Sequence, residues 1–496
     1  MNLAAIFDRH PADSVAVISR GRTTTYGELG ALVARLRGGL TAQGLVPGDR
    51  VAIVCGNNTY FVASYLALIG AGLIAVPLNP ISPPVELVSE LTAVSARGVI
   101  VGPTARAMFE ALDRELIPSV EVVVGCGFLP DGGLGFDDLA QAEPLPIVER
   151  DDDDVAVLIF TSGTAGSPKA AKLTHGNLRA NIAQVLSVPE NAQSSDDVTF
   201  AVLPMFHIFG LNVVLGVSFA TGSRLLLVER FDPISAIEAI DKHGVTVLTG
   251  PPTMWSALAS MPDLPADSFA SIRLAVSGAA RLGEETARVL QSRFGLTLRE
   301  GYGLTEASPV VTTSNGTDAP IGSVGIPLPG LEVRLVDDAG DDVLVGDPGE
   351  VWVRGPNVFA GYWNDEAATA AVVDADGWLH TGDVGTVDDN GYLYLVDRRK
   401  DLIIVSGFNV YPAEVEEVLM THPAIDACAV VGVPHPYTGE AVKAYVVNAP
   451  GLSIEEDEVV AFCAERLARY KCPDKVWFVD EVPVGMGGKV LRRAFR

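Results

Sequence analysis

Residues 161–177 read TSGTAGSPKAAKLTHGN. Thr161, Ser162, Thr164 and Ser167 offer hydroxyl donors there. Gly163 and Gly166 let backbone N–H groups come close to an anion, and Lys169 adds positive charge. That is chemistry for holding phosphate. The spacing Gly163-x-x-Gly166-x-x-Lys169 is not the GxxxxGK[ST] loop of P-loop proteins. On pattern alone, an ordinary turn between strand and helix fits as well. Other chemistry is missing from the sequence. No GxSxG nucleophile motif and no HExxH metal motif occurs, and Cys55, Cys126, Cys428, Cys463 and Cys472 form no CxxC pair. His207, in PMFHIFG (204–210), reads either as a core imidazole or as a group at a reactive site.

The loop must be held by what flanks it. The apolar run 155–160 reads as a strand, and a helix is predicted from about Asn177. Similar β-rich runs at 50–55, 73–77, 98–102, 120–124 and 245–249 alternate with helical patterns. Near-continuous apolar strands belong in sheets covered by helices on both faces. Segment 51–85 has no charged residue, but Asn57, Asn58, Gly70, Gly72, Pro77, Asn79 and Pro80 interrupt it. Strand 51–55, helix 58–69 and strand 73–78 are predicted there, and not a membrane span. From about 321, short strands at 333–336, 349–354 and 391–396 alternate with Asp/Gly turns and predict a mainly β subdomain. A last α/β stretch of roughly 95 residues is near the modal domain size. It carries a helix near 412–421 and strands at 427–431 and 441–447. The acidic run 151–154 reads as a solvated turn.

Composition narrows the function classes. The chain has 496 residues, 48% of them hydrophobic and 20% charged, which suits a globular enzyme with a large core and not a disordered chain. A formal charge of −27 argues against DNA, RNA and acidic lipid as partners. Any anionic substrate therefore needs local positive groups. The odd number of unpaired cysteines predicts a reducing, cytoplasmic setting. Asp8 and Arg9 come too early for a signal peptide. The oligomeric state is open, a homodimer included.

TSGTAGSPK (161–169) resembles the phosphate loop of the adenylate-forming superfamily: acyl-CoA synthetases, firefly-type luciferases and peptide-synthetase adenylation domains. More motifs follow in that superfamily's order and span essentially the whole chain. EGYGLTE (300–306) resembles the adenine and metal motif, and TGD (381–383) the ribose motif. YLVDR (394–398) is similar to the segment leading into the hinge, and GGK (487–489) to the catalytic lysine motif. SGFNVYPAE (406–414) resembles the thioester-forming segment of acyl-CoA synthetases. Singly, Tyr302 could be a core aromatic, Asp383 a turn cap and Lys489 an exposed cation. In order along one chain, these motifs identify the family.

The resemblance implies an α/β fold. Its large N-terminal domain, 1–397, would hold two helix-covered sheets plus a β-barrel-like subdomain at 321–397. A hinge at 398–400 and a small mobile C-terminal α+β domain, 401–496, would complete it. ATP, Mg²⁺ and CoA are implied, with a small-molecule carboxylic acid as co-substrate. ATP would lie among Thr161, Ser162, Gly163, Thr164, Gly166, Lys169, Gly278, Ala279, Gly301, Tyr302, Gly303, Thr305, Asp383, Arg398 and Lys489. Tyr302 would stack on adenine, Asp383 accept from both ribose hydroxyls, Thr305 donate to the α-phosphate and Glu306 hold Mg²⁺. Lys489, His207, Glu306 and Thr305 form the implied catalytic set, with Lys400 at the hinge. Ser406, Gly407 and Phe408 would border a pantetheine tunnel after the small domain swings.

The implied reaction joins the acid to AMP, releases pyrophosphate and passes the acyl group to a thiol. His207, Phe209, Val213, Gly278, Gly301 and Val310 would line the acyl pocket. Those stretches are apolar, and Phe206-His207 stands where peptide synthetases carry Phe-Asp to hold an amine. A medium- or long-chain fatty acid is expected, with an aryl acid of the 4-coumarate kind as the alternative. CoA is the expected acceptor. A carrier protein is the alternative, as in fatty acyl-AMP ligases, whose usual inserted segment is not seen. The chain departs from the family's pattern at Ala165, Ala170, Arg281 and the glycine-rich stretch 485–488.

Overall fold

The computed structural model describes residues 1–161, 169–337, 339–398, 401–405, 408–435, 438–467, 469–484 and 490–495. Its apolar, β-branched runs pair side by side, since a buried strand must satisfy its backbone N–H and C=O groups. Among the described residues, strands form sheets of nine, seven, four and five members. In the seven-stranded sheet, Gly98–Val101, Arg50–Val54, Ile74–Leu78 and Val155–Thr161 run parallel. The nine-stranded sheet has a parallel centre, in the order Arg299–Gly303, Leu274–Ser277, Val247–Gly250, Val198–Ala201, Arg224–Leu227, Val15–Ser19. Parallel neighbours require crossovers, and the helices that supply them cover the sheet faces.

The charge-free stretch 51–85 lies in this layered core. Helix Thr59–Gly70 packs in one cluster with Val51 and Ile53 of one large sheet and Val17 and Leu225 of the other. Its Phe61, Leu66 and Leu68 have no exposed surface, so the helix needs no polar face. No described helix is long and apolar enough to cross a membrane. The asparagines that interrupt the run have structural work. Asn58 Oδ1 accepts from Phe61 N at 3.2 Å and caps the helix. Asn57 Nδ2 donates to the carbonyls of Ala201 and Leu203, and its Oδ1 accepts from Met205 N. One side chain thus ties this loop to the end of a strand in the other large sheet.

Glu90, on helix Pro84–Ala93, is buried, and its Oε2 has no hydrogen-bond partner among the described residues. Burial, then the nearby Glu86 charge, pushes its pKa from 4.5 up to about 7. A carboxyl pKa raised on folding means that stability falls as pH climbs from the unfolded value through the folded one. Glu90→Gln should therefore stabilise the chain by about 1–3 kcal/mol at pH 8 and by little at pH 4.5. Denaturant melts at the two pH values read this, and an equal effect at both contradicts it.

The expected loop-then-helix layout after Thr161 needs correction. Lys169–Thr174 is a strand, antiparallel to Val155–Thr161, with Thr161 opposite Lys169. The helix runs His175–Leu186, and Thr174 Oγ1 caps it by accepting from Asn177 N at 3.0 Å. Ala170, Ala171 and Leu173 are buried, and small apolar residues suit a strand pressed between neighbours. A second partner completes the pairing. Lys172 N donates to Gly361 O, Ala360 N to Lys172 O and Trp363 N to Ala170 O, at 2.8–3.0 Å. The phosphate-type loop therefore joins two strands of a hairpin.

Glu332–Val336, Gly349–Arg354, Leu379–Val387 and Leu393–Arg398 form the four-stranded antiparallel sheet. Beyond it, Ile403, Val410, Val415, Val430, Val446 and Val459 make a core of their own. The helix predicted near 412–421 is Pro412–Met420. The two strands predicted after it are Ile425–His435 and Gly439–Asn448, longer than expected because they pair with each other nearly throughout.

Candidate active site

The parallel strands of the nine-stranded sheet end on one side, where such sheets form their crevices. A cleft of about 440 Å³ opens there. Leu203 and Pro204 follow strand Val198–Ala201, Phe231 follows Arg224–Leu227, Pro251 follows Val247–Gly250 and Ala279 follows Leu274–Ser277. His207 and Phe209 complete one wall. Ala279 holds a left-handed φ of +73° in the turn after its strand, a conformation that costs a non-glycine residue and is typical of functional sites.

His207 is open to the cleft, and the protein around it lowers its pKa below the usual imidazole range. Its Nδ1 accepts from Phe209 N at 3.3 Å, so the proton of the neutral ring sits on Nε2. The chain then enters a π-helical turn, Phe209–Gly216, wider than an α-helix and often found at functional sites. Gly210 is required at its start, because a Cβ there would lie 2.3 Å from Pro204 O. Asn212 Nδ2 donates to Leu178 O and to Ser308 O, at 3.1 and 2.7 Å. This anchors the turn to the segment that follows Glu306.

A second group of side chains gathers beside strand Arg299–Gly303. Tyr302 Oη donates to Asp383 Oδ2 at 2.7 Å, and both residues are buried. They are 81 positions apart in sequence. Asp383 pairs across the sheet with Arg398, so register brings two of the predicted nucleotide residues to one place. Thr305 and Glu306 lie in the single 3-10 turn Thr305–Ala307. Glu306 Oε1 accepts from Tyr362 Oη at 2.7 Å, and Lys169 Nζ lies 5.2 Å from the centre of the Tyr362 ring. The pairing of 360–363 with Lys169–Thr174 sets Tyr362 there, with an Ala171–Tyr362 bridge.

Among the described residues no three His, Cys, Asp or Glu side chains converge to hold a metal unaided. Glu306 offers one oriented carboxylate. A hard cation that keeps waters and takes substrate phosphate oxygens needs no more from the protein, so this donor fits Mg²⁺.

Ser162, Gly163, Thr164, Gly166, Lys400, Ser406, Gly407 and Lys489 lie outside the described residues, as do the side chains of Arg398 and Phe408. Val213, Gly278, Gly301 and Val310 are not among the residues lining the cleft. Gly278 backs the Phe209 ring, where a Cβ would come within 3.0 Å of Cε1 and Cζ. Gly301 and Gly303 sit on the strand that carries Tyr302, and Val310 on the antiparallel strand beside it. Arg281 points to the C-terminal region and forks onto Glu417 of helix Pro412–Met420, at 2.8 and 3.4 Å. Both partners are about half exposed, which limits the pair to about 0–1 kcal/mol. Sequence reasoning missed Tyr362, Phe231, Pro251 and Met254. Three of the four cleft or site positions were detectable as residues just past a parallel strand's carboxyl end; Tyr362 carried no such signal.

Comparison with known proteins agrees with this geometry. The AMP-binding enzyme family matches residues 3–363, and its C-terminal domain family matches 414–489. A feruloyl-CoA synthase of an Amycolatopsis species is 40% identical over 485 residues, covering 97% of this chain and 95% of that protein. A long-chain-fatty-acid–CoA ligase of Bacillus subtilis is 36% identical over 517 residues, covering 97% and 91%. The crystal structure of ATP-bound MatB from Rhodopseudomonas palustris superposes with a TM-score of 0.91 at 34% identity, covering 100% of this chain and 98% of that one. The chain belongs to the AMP-binding enzymes of the adenylate-forming superfamily and is an ATP-dependent, AMP-forming acid–thiol ligase of the acyl-CoA ligase kind.

Proposed function

We propose that the acid is an apolar monocarboxylic acid with an aromatic ring, of the hydroxycinnamate kind, and that CoA is the acceptor. The carrying observation is the cleft wall. Phe209, Phe231, Pro204, Pro233 and Pro251 make it flat and stiff, and His207 is its one titratable group among the described residues. An amine or a second carboxylate on the substrate would meet no described partner there. The feruloyl-CoA synthase relative supports the same class. The second reading, a medium- or long-chain fatty acid, has the support of the apolar lining and the Bacillus relative. Flat, rigid walls favour the ring.

In the first step a carboxylate oxygen bonds to the α-phosphorus of ATP as the bond to the pyrophosphate oxygen breaks. Both reactants are anions in a chain of net charge −27, so catalysis is positioning and local neutralisation. Lys169 and Lys489 supply cations. Glu306, steadied by Tyr362, would hold Mg²⁺, which when bound offsets phosphate charge. Tyr302 and Asp383 take the adenosine. His207 stays neutral and offers Nε2–H to the substrate carboxylate. In the second step the CoA thiol gives up its proton to solvent, its sulfur bonds to the acyl carbon, and the bond from that carbon to the AMP phosphate oxygen breaks as AMP leaves. The small domain turns about Lys400 between steps, withdrawing Lys489 and bringing in Ser406, Gly407 and Phe408. The chain's five cysteines are free, which supports a reducing, cytoplasmic setting.

Purified protein with ATP and Mg²⁺ should be assayed against ferulate, 4-coumarate, octanoate, palmitate and malonate, with and without CoA. AMP formation that needs both acid and CoA, with the highest kcat/KM for a hydroxycinnamate, is expected. Preference for palmitate or octanoate moves the assignment to the second reading. Acyl-adenylate that accumulates regardless of CoA points to a carrier-protein acceptor.

A further inference from the structure

The TGD segment is not a simple turn. Glu350 pairs across the sheet with Val384, and Trp352 with His380. Two steps on one strand therefore match four on the other, and Val351 alone faces Thr381, Gly382 and Asp383. On the side facing Gly349–Arg354 these three residues of strand Leu379–Val387 form a three-against-one β-bulge, a device that re-aims side chains beside active sites. The bulge delivers Asp383 to Tyr302 Oη.

A bulged segment loses ladder hydrogen bonds on that side, although Asp383 keeps its register with Arg398 on the other, and it needs further partners to hold one shape. Here each end has one. Glu350 Oε1 accepts from Gly382 N at 3.0 Å, and Glu350 is only 8% exposed. Gly382 has a φ of +70°, so the tip is left-handed and a side chain there would be strained. Thr381 Oγ1 donates to Val351 O at 2.7 Å and accepts from Asp383 N at 3.1 Å. At the other end the His380 ring stacks on Trp352, with centroids 3.8 Å apart and planes 8° from parallel. His380 Nε2 lies 3.4 Å from Asp374 Oδ2, while Asp374 Oδ1 accepts from Asp376 N and Trp378 N. The imidazole is held on both sides at the residue where the bulge begins.

We propose that Glu350 and the Trp352–His380 stack are positioning residues for nucleotide recognition: they clamp the bulge so that the Asp383 carboxylate is presented to the ribose hydroxyls. The inference rests on the reading of Asp383 as the ribose ligand. None of the clamp residues touches the substrate. Their loss should blur the recognition of one sugar hydroxyl and leave the reacting atoms alone.

The test uses the intact enzyme and compares ATP with 2′-deoxy-ATP. If Asp383 binds the ribose, the wild type should prefer ATP by about 10- to 100-fold in kcat/KM, and Asp383→Asn should lose that preference. Glu350→Ala should lower the preference to below about threefold. It should raise KM for ATP, with KM for the acid little changed. Glu350→Gln keeps an acceptor for Gly382 N–H and should keep the preference. His380→Ala, at a half-buried position, should weaken it by at least about threefold, and decides the matter alone if Glu350→Ala does not fold. Wild-type preference in folded Glu350→Ala and His380→Ala enzymes, lost only in Asp383→Asn, overturns the clamp and spares the ribose reading. Preference retained in Asp383→Asn removes the ribose reading, and the clamp with it.

Discussion

Lys489→Ala is expected to slow adenylation by at least about 100-fold, the scale on which preorganised charges act in active sites. The same variant, given preformed acyl-adenylate and CoA, should make thioester at close to the wild-type rate. The reason is electrostatic. A carboxylate and a triphosphate repel each other, and the repulsion rises as they close to bonding distance. A cation placed where charge builds up lowers the barrier of that step only. Thioester formation expels AMP from a neutral acyl carbon and does not present the same problem. Single-turnover measurements of each half-reaction separate the two effects. Equal losses in both steps would contradict a small domain that presents different residues in turn.

Glu306→Gln should lower adenylation by about 100- to 1,000-fold, with partial recovery at raised Mg²⁺. The substitution keeps the shape and an acceptor for Tyr362 Oη, and it removes the negative charge that a hard cation requires. Tyr362→Phe removes only the hydroxyl that orients Glu306. Partners of this kind typically change metal affinity by about 10- to 100-fold, so the variant should need more Mg²⁺ for half-maximal rate. Because Tyr362 acts through Glu306, the double variant should be no worse than Glu306→Gln alone. Additive losses would mean that Tyr362 has its own contact with the nucleotide, for instance through the cation of Lys169 that lies over its ring.

How much of this was legible in the sequence depended on the distance between partners. Strands Arg50–Val54 and Ile74–Leu78 and the helix between them followed from local apolar runs and punctuating glycines and asparagines. Tyr302, Glu306 and Asp383 stand out as candidates because their motifs occur in a recognisable order, and the structure brings Tyr302 to Asp383. The loop at 161–177 was misjudged in its second half. Alanines 170 and 171 have weak strand preference, and what makes them a strand is a neighbour near residue 361. Tyr362 went unnoticed for the same reason: a lone tyrosine between glycine and tryptophan has no periodic signature, and its value lies in a contact 56 positions away. TGD is legible as a ribose-type motif but not as a bulge, because register is a property of two strands. The cleft wall was only partly foreseen, since Phe231, Pro251 and Met254 come from separate strand ends that meet only once the sheet is assembled.

The central claim is that the cleft joins the acid to AMP before any thiol is involved. Acid-dependent exchange of labelled pyrophosphate into ATP, measured without CoA, tests it most directly. The account predicts rapid exchange with a hydroxycinnamate or another apolar acid and none without acid. Exchange absent with every acid that supports thioester formation, so that ATP is cleaved only when CoA is present, would contradict it.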